Sequence, residues 1–111
     1  MEPSTAGLRV QAFFGESDQV GHKARYEAIL EYLRDAGATG ATIERGVAGF
    51  GVHSKIHTAA ILDLSRDLLL ILTWVDSRSR VEQVLPGLKD LTDGALVTVE
   101  DVEVLWGRLE A

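Results

Sequence analysis

Arg45 and Lys55 bracket three glycines, Gly46, Gly49 and Gly51, and a single aromatic residue, Phe50. Backbone without side chains can come close to a ligand, and successive N–H groups can form a concave nest for an anion. Two cations at its rim would add charge-assisted hydrogen bonds to a phosphate. Ser54 is a further polar group at hand, and Phe50 or the start of the last strand would wall in a base. The same glycines also serve plain geometry, as a positive φ or a bulge near a strand end. Their spacing is neither a Walker loop nor a dinucleotide fingerprint. His53 and His57 stand four apart, on one side of either a helix or a strand. As a metal pair they need a third ligand, which Glu16, His22 or Asp63 could supply only through the fold. Neutral histidines bonded to backbone are the commoner outcome. Ser17, Ser54 and Ser65 lie outside any G-x-S-x-G, and no Ser-His-Asp order stands out. No catalytic residue is assigned.

Positioning such a segment falls to the elements around it. Residues 1–6 read as a disordered tail ahead of a single domain over 7–111. Leu8, Val10, Ala12 and Phe14 alternate with Arg9, Gln11 and Phe13, the pattern of a strand apolar on one face and mixed on the other. Gly15–Asp18 ends that strand, and Gly21-His22 continues the loop. Tyr26, Ile29, Leu30, Leu33 and Ala36 form one stripe of a helix over 23–36, and Gly37 sits where a left-handed terminator belongs. A strand is expected over Ala41–Val47, broken by the glycines. Residues 56–64 read as a strand, with a short helix over 59–64 as the competing reading.

Leu68 to Val75 is apolar on both faces, so it should be a central strand covered on both sides. With helices on one face only, a second subunit would have to cover the other. Ser79-Arg80-Val81-Glu82 reads as a capping box, ahead of a stripe of Val81, Val84, Leu85, Leu88 and Leu91. Pro86 falls inside that helix and predicts a kink. Asp93-Gly94 turns the chain into a last strand over Leu96–Trp106. Its apolar parity changes at Glu100-Asp101, which predicts a bulge or bend. The acidic residues Glu100, Asp101 and Glu103 read as a solvated edge or a lock to a neighbouring subunit.

The order strand, helix, strand, strand, helix, strand is that of an α+β, ferredoxin-like βαββαβ plait. It gives an antiparallel sheet with both helices on one face and the first and third strands central. At 111 residues one core is the expectation, and the absence of cysteine excludes disulfide and thiolate chemistry. A net charge of −6 argues against a nucleic-acid partner, though not against a nucleotide-sized ligand. The N-terminus lacks the pattern of a secretion signal and no apolar run reaches membrane-spanning length, so the expected place is the cytoplasm, without membrane insertion.

Five pieces in order resemble domain-of-unknown-function family 190 (DUF190), grouped with the PII-like (GlnB-like) signalling proteins. They are G-E-S-D at Gly15–Asp18, R-G-V-A-G-F-G at Arg45–Gly51, S-K-I-H-T-A at Ser54–Ala59, L-S-R-D-L at Leu64–Leu68 and L-V-T-V-E-D-V-E-V at Leu96–Val104. The chain departs from the family pattern at Leu69, where a proline is usual, and at Thr73, where an acidic residue is usual. The resemblance implies a ferredoxin-like core assembled as a PII-like homotrimer, with adenine nucleotides in the clefts between subunits. It also implies a loop between the second and third strands that engages a partner such as a transporter or an enzyme.

Together the residues and the resemblance give three readings. The first is a non-enzymatic regulator binding an anionic effector, an adenine nucleotide, through Arg45, Gly46, Gly49, Phe50, Gly51, Ser54 and Lys55. The second is a CutA-like trimer binding a divalent metal through His53 and His57. The third, a small enzyme on the same plait, has no motif behind it.

Overall fold

The computed structural model describes residues 4–50, the backbone of 57–58, residues 68–107 and residue 109. In chain order the elements are β1 (Thr5–Gly15), β2 (Gln19–Val20), β3 (Lys23–Ala24), α1 (Arg25–Asp35), β4 (Thr42–Arg45), β5 (Ala48–Gly49), β6 (His57–Thr58), β7 (Leu69–Asp76), α2 (Arg78–Leu91) and β8 (Leu96–Val104). The main sheet is antiparallel with the order β4-β7-β1-β8. The two strands richest in apolar residues, β1 and β7, are therefore central. This is the ferredoxin-like plait.

Alternation along β1 and β7 decides the core. Leu8, Val10, Ala12 and Phe14 join Leu70, Leu72 and Trp74 on one face, where Ile29 and Leu33 of α1 and Val81, Val84 and Leu88 of α2 cover them. Both helices thus lie on one side. The other face is mixed and only half-buried. A row Glu44–Ile71–Phe13–Leu96 runs across all four strands, followed by Thr42–Thr73–Gln11–Thr98. Gln11 Nε2 donates to Thr73 Oγ1 across the second row (3.1 Å).

Several local expectations are corrected. β1 begins at Thr5, which pairs with Val104, so the tail ends earlier than residue 6. α1 begins at Arg25 rather than residue 23, because Lys23-Ala24 pairs with Gln19-Val20 in a miniature hairpin turned by Gly21 at φ 64°. Gly37 ends the helix with φ 87°, as expected. The cap of α2 is Ser77, whose hydroxyl accepts from Arg80 N (3.2 Å), and not Ser79, which lies in the first turn. Asp76 Oδ1 takes the Ser77 N–H (2.9 Å) and fixes the chain as it leaves β7, so the helix starts two residues early.

The pairing of β8 with β1 runs unbroken from Phe13↔Leu96 to Thr5↔Val104, without a bulge at Glu100-Asp101. As an edge strand half open to solvent, β8 has no need to keep its apolar residues on one face. Val97 and Val99 share the helix side with Ala12 and Val10, while Val102 and Val104 share the open side with Gly7 and Thr5. The parity change is a change of face along a regular strand. Of the strand expected over 56–64, only His57-Thr58 is described, paired with Ala48-Gly49; the remainder lies outside the described residues.

α2 runs through Pro86 to Leu91. Next to the proline, Gly87 lets the helices touch: a Cβ there would stand 2.5 Å from Tyr32 Cζ and closer still to its hydroxyl. That hydroxyl donates to Val84 O (2.9 Å). Gly87→Ala should therefore destabilise by about 1–3 kcal/mol through overpacking, against the gain of about 1 kcal/mol that alanine brings to an unconstrained helix position. A urea midpoint at or above wild type would refute this packing account.

Candidate functional site

β1 and β4 run parallel, so the end of β1, the end of β4, the start of β7 and the start of β8 all meet at one end of the sheet. The glycine segment leaves β4 there. Arg45 is the last residue of β4, and its guanidinium is half-exposed and ion-paired with Glu16. Gly46 donates its N–H to Leu69 O (2.7 Å), so this donor belongs to the sheet. Gly49 pairs with His57, and a Cβ on it would meet Leu69 Cδ1 at 2.7 Å. Neither glycine has a positive φ. The described part of the segment therefore uses glycine for close approach to Leu69. Phe50 stands 67 % exposed and Val47 76 %. Gly51, His53, Ser54 and Lys55 lie outside the described residues, as does the side chain of His57. Among the described residues, no group of three or more His, Asp or Glu could hold a metal.

Glu16, which sequence reasoning considered only as a third metal ligand, proves to be the partner of Arg45. Only the fold joins positions 29 apart. The turn carrying it is tied by Asp18: Asp18 Oδ2 accepts from Gly15 N (3.2 Å), Asp18 O accepts from Arg25 N (2.8 Å), and Arg25 Nη1 lies 3.7 Å from Asp18 Oδ2.

A cavity of about 850 Å³ opens at the same end but on the opposite edge, between the last turns of α2 and the start of β8. Leu85, Pro86, Lys89 and Val97 line it, together with the acidic Glu82 and Asp93. Its size lies within the range of about 300–1,000 Å³ usual for small-molecule sites. The local chain explains its shape. Thr92 Oγ1 donates back to Leu88 O (2.8 Å) and closes α2, Ala95 N donates to Thr92 O (2.9 Å), and Gly94 at φ 83° turns the chain. Apart from Asp93-Gly94 and the apolar start of the last strand, nothing in the sequence signalled this cavity. A smaller cleft of about 400 Å³ lies at the other end, between α1 and the loop into β4.

The glycine segment and the larger cavity do not share an edge. Glu44 and Leu96 are the outer members of one cross-strand row, with Ile71 and Phe13 between them. At about 4.8 Å per strand they are about 14 Å apart.

Comparison with known proteins agrees with this architecture. The family model of DUF190, described as "Uncharacterized ACR", matches residues 7–104. A UPF0166 protein of Aquifex aeolicus is 29 % identical over 97 residues, covering 87 % of this chain and 91 % of the relative. Among solved structures, CPII, a nitrogen regulatory PII-like protein from Thiomonas intermedia K12 bound to ADP, AMP and bicarbonate, superposes with a TM-score of 0.69 at 20 % identity, over 92 % of this chain and 91 % of that one. CutA1 of Oryza sativa follows at 0.57 and 11 %, over 95 % and 85 %. At such identities the likeness to the solved structures is one of fold.

Proposed function

Since the chain belongs to domain-of-unknown-function family 190 and folds as the PII-like proteins do, we propose that it is a non-enzymatic, PII-like regulator that binds an adenine nucleotide between subunits of a homotrimer. The observation that carries this reading is the division of labour between the two sheet edges. One edge presents the half-exposed guanidinium of Arg45, suited to an anion, and the other an apolar cavity with Lys89, suited to a base or ribose.

In a closed ring of identical subunits the contacts are heterologous, so one edge of each subunit can meet the opposite edge of the next. Three such seams would bring Arg45, Gly46, Gly49, Phe50, Gly51, Ser54 and Lys55 of one subunit beside Leu96 and Val97 of its neighbour. The half-buried open face, with Phe13, Ile71 and Leu96 in one row, supplies the apolar surface that assembly would cover. CPII, with its bound ADP and AMP, supports the ligand class. The regulated partner, a transporter or an enzyme, would be engaged through the segment after β5. No described helix is long and apolar enough to cross a membrane.

The test combines mass and affinity. Light scattering should return three times the 12.1 kDa chain mass at micromolar concentration, and calorimetry should show ADP or ATP binding. A monomer, or no adenine nucleotide bound below about 1 mM, equivalent to about −4 kcal/mol, would end the reading.

A further inference from the structure

We propose that Glu16 is an internal competitor for Arg45, so that a phosphoryl group reaching Arg45 must displace a carboxylate already seated there. The inference deepens the nucleotide reading above and rests on it. Glu16 would set both the affinity and the charge selectivity of the site.

The observations are local and mutually consistent. The Glu16 side chain is 20 % exposed and that of Arg45 56 %. Glu16 Oε2 accepts from Arg45, while Oε1 is buried and has no hydrogen-bond partner among the described residues. One carboxylate oxygen is thus desolvated without compensation among the described residues and the other is compensated by Arg45, which is costly for a largely buried charge. Its position is also fixed. Glu16 N donates to Leu68 O (2.8 Å), and the Asp18 turn holds the backbone on either side. Glu16 cannot follow the guanidinium if Arg45 swings outward. Arg45, at the open end of β4, can turn toward a ligand, and each such turn leaves the largely buried Glu16 carboxylate without a counter-charge among the described residues.

That penalty gives the site a threshold. A ligand carboxylate offers Arg45 no more than Glu16 already does. A terminal phosphoryl group, with three acceptor oxygens and up to two negative charges, offers more. A nucleoside without phosphate makes no demand on Arg45 and should be indifferent to Glu16.

Calorimetry with ADP and with adenosine on four proteins tests this: wild type, Glu16→Gln, Arg45→Gln and the double variant. Removing the competing charge should tighten ADP binding by about two- to fivefold, the scale of a partly exposed ion pair. Adenosine affinity should not move, and the gain should vanish in the Arg45→Gln background. Glu16→Ala, read in the same way, guards against a special effect of the amide. Equal ADP affinity in wild type and both Glu16 variants would overturn the competition while leaving the nucleotide reading intact. An equal gain for adenosine, or a gain that persists without Arg45, would overturn it too. Failure of wild type and Glu16 variants alike to bind ADP below about 1 mM would remove the nucleotide reading and this inference together.

Discussion

Asp76→Ala is expected to lower stability by about 3–5 kcal/mol, because three N–H donors lose their acceptor at about 1–3 kcal/mol for each left unsatisfied. Asp76 is fully buried at the end of β7. Its Oδ2 accepts from Trp74 Nε1 (2.9 Å) and from Thr39 N (3.0 Å), and its Oδ1 accepts from Ser77 N (2.9 Å). One carboxylate therefore ties the core indole, the loop between α1 and β4, and the first turn of α2. Thr39 and Ser77 lie near enough to solvent for water to recover part of the loss, which caps the estimate; Trp74 is sealed in. Urea titration at fixed protomer concentration is the measurement, since association adds to apparent stability. A change below about 0.5 kcal/mol, the range of ordinary surface substitutions, would mean that the three donors find other partners.

The second large effect concerns where the site is completed. Two variants are each expected to lose binding alone, one damaged at the anion edge (Arg45→Ala with Lys55→Ala) and one in the cavity on the helix side of the sheet (Val97→Asp). Unfolded, mixed in equal amounts and refolded together, they should recover binding. In a randomly mixed ring, roughly a quarter of the seams join an intact anion edge to an intact cavity. Calorimetric stoichiometry should rise from none to about that fraction of the seams. A site built within one chain cannot be restored by mixing two chains that are each defective. Persistent absence of binding in the mixture, with trimers present, would place both halves in the same subunit.

Much of the architecture was legible because its signals are local and repeated. The i, i+3, i+4 stripe from Tyr26 to Ala36 and the alternation from Leu8 to Phe14 need no knowledge of the rest of the chain. The two-sided run from Leu68 to Val75 placed its strand in the middle of the sheet, where it lies. What failed depended on neighbours. Ser77 and Ser79 are equally plausible caps on paper, and Glu82 favours the wrong one until Asp76 is seen holding Ser77. The apolar parity of β8 looks like a slip only if every strand must keep one dry face.

Of the candidate site, Arg45, Gly46, Gly49 and Phe50 lie together at one end of the sheet. Gly51, His53, Ser54 and Lys55 fall outside the described residues. The Glu16 pairing and the cavity beside β8 needed the fold, since each joins residues whose proximity no local pattern encodes.

The strand order has a consequence for how the chain is made. β1 is central, yet it pairs only with β7 and β8, whose residues run from Leu69 to Asp76 and from Leu96 to Val104. Translation at about 5–20 residues per second leaves β1 waiting roughly 4–18 s after its own synthesis before both partners exist. Until β7 is made, α1 is the one core helix available to cover β1, and β4 cannot help, because its place in the sheet is beside β7. An apolar strand that waits unpaired is a natural target for holding factors at the ribosome. Slowing translation between residues 16 and 69 should raise its exposure to them.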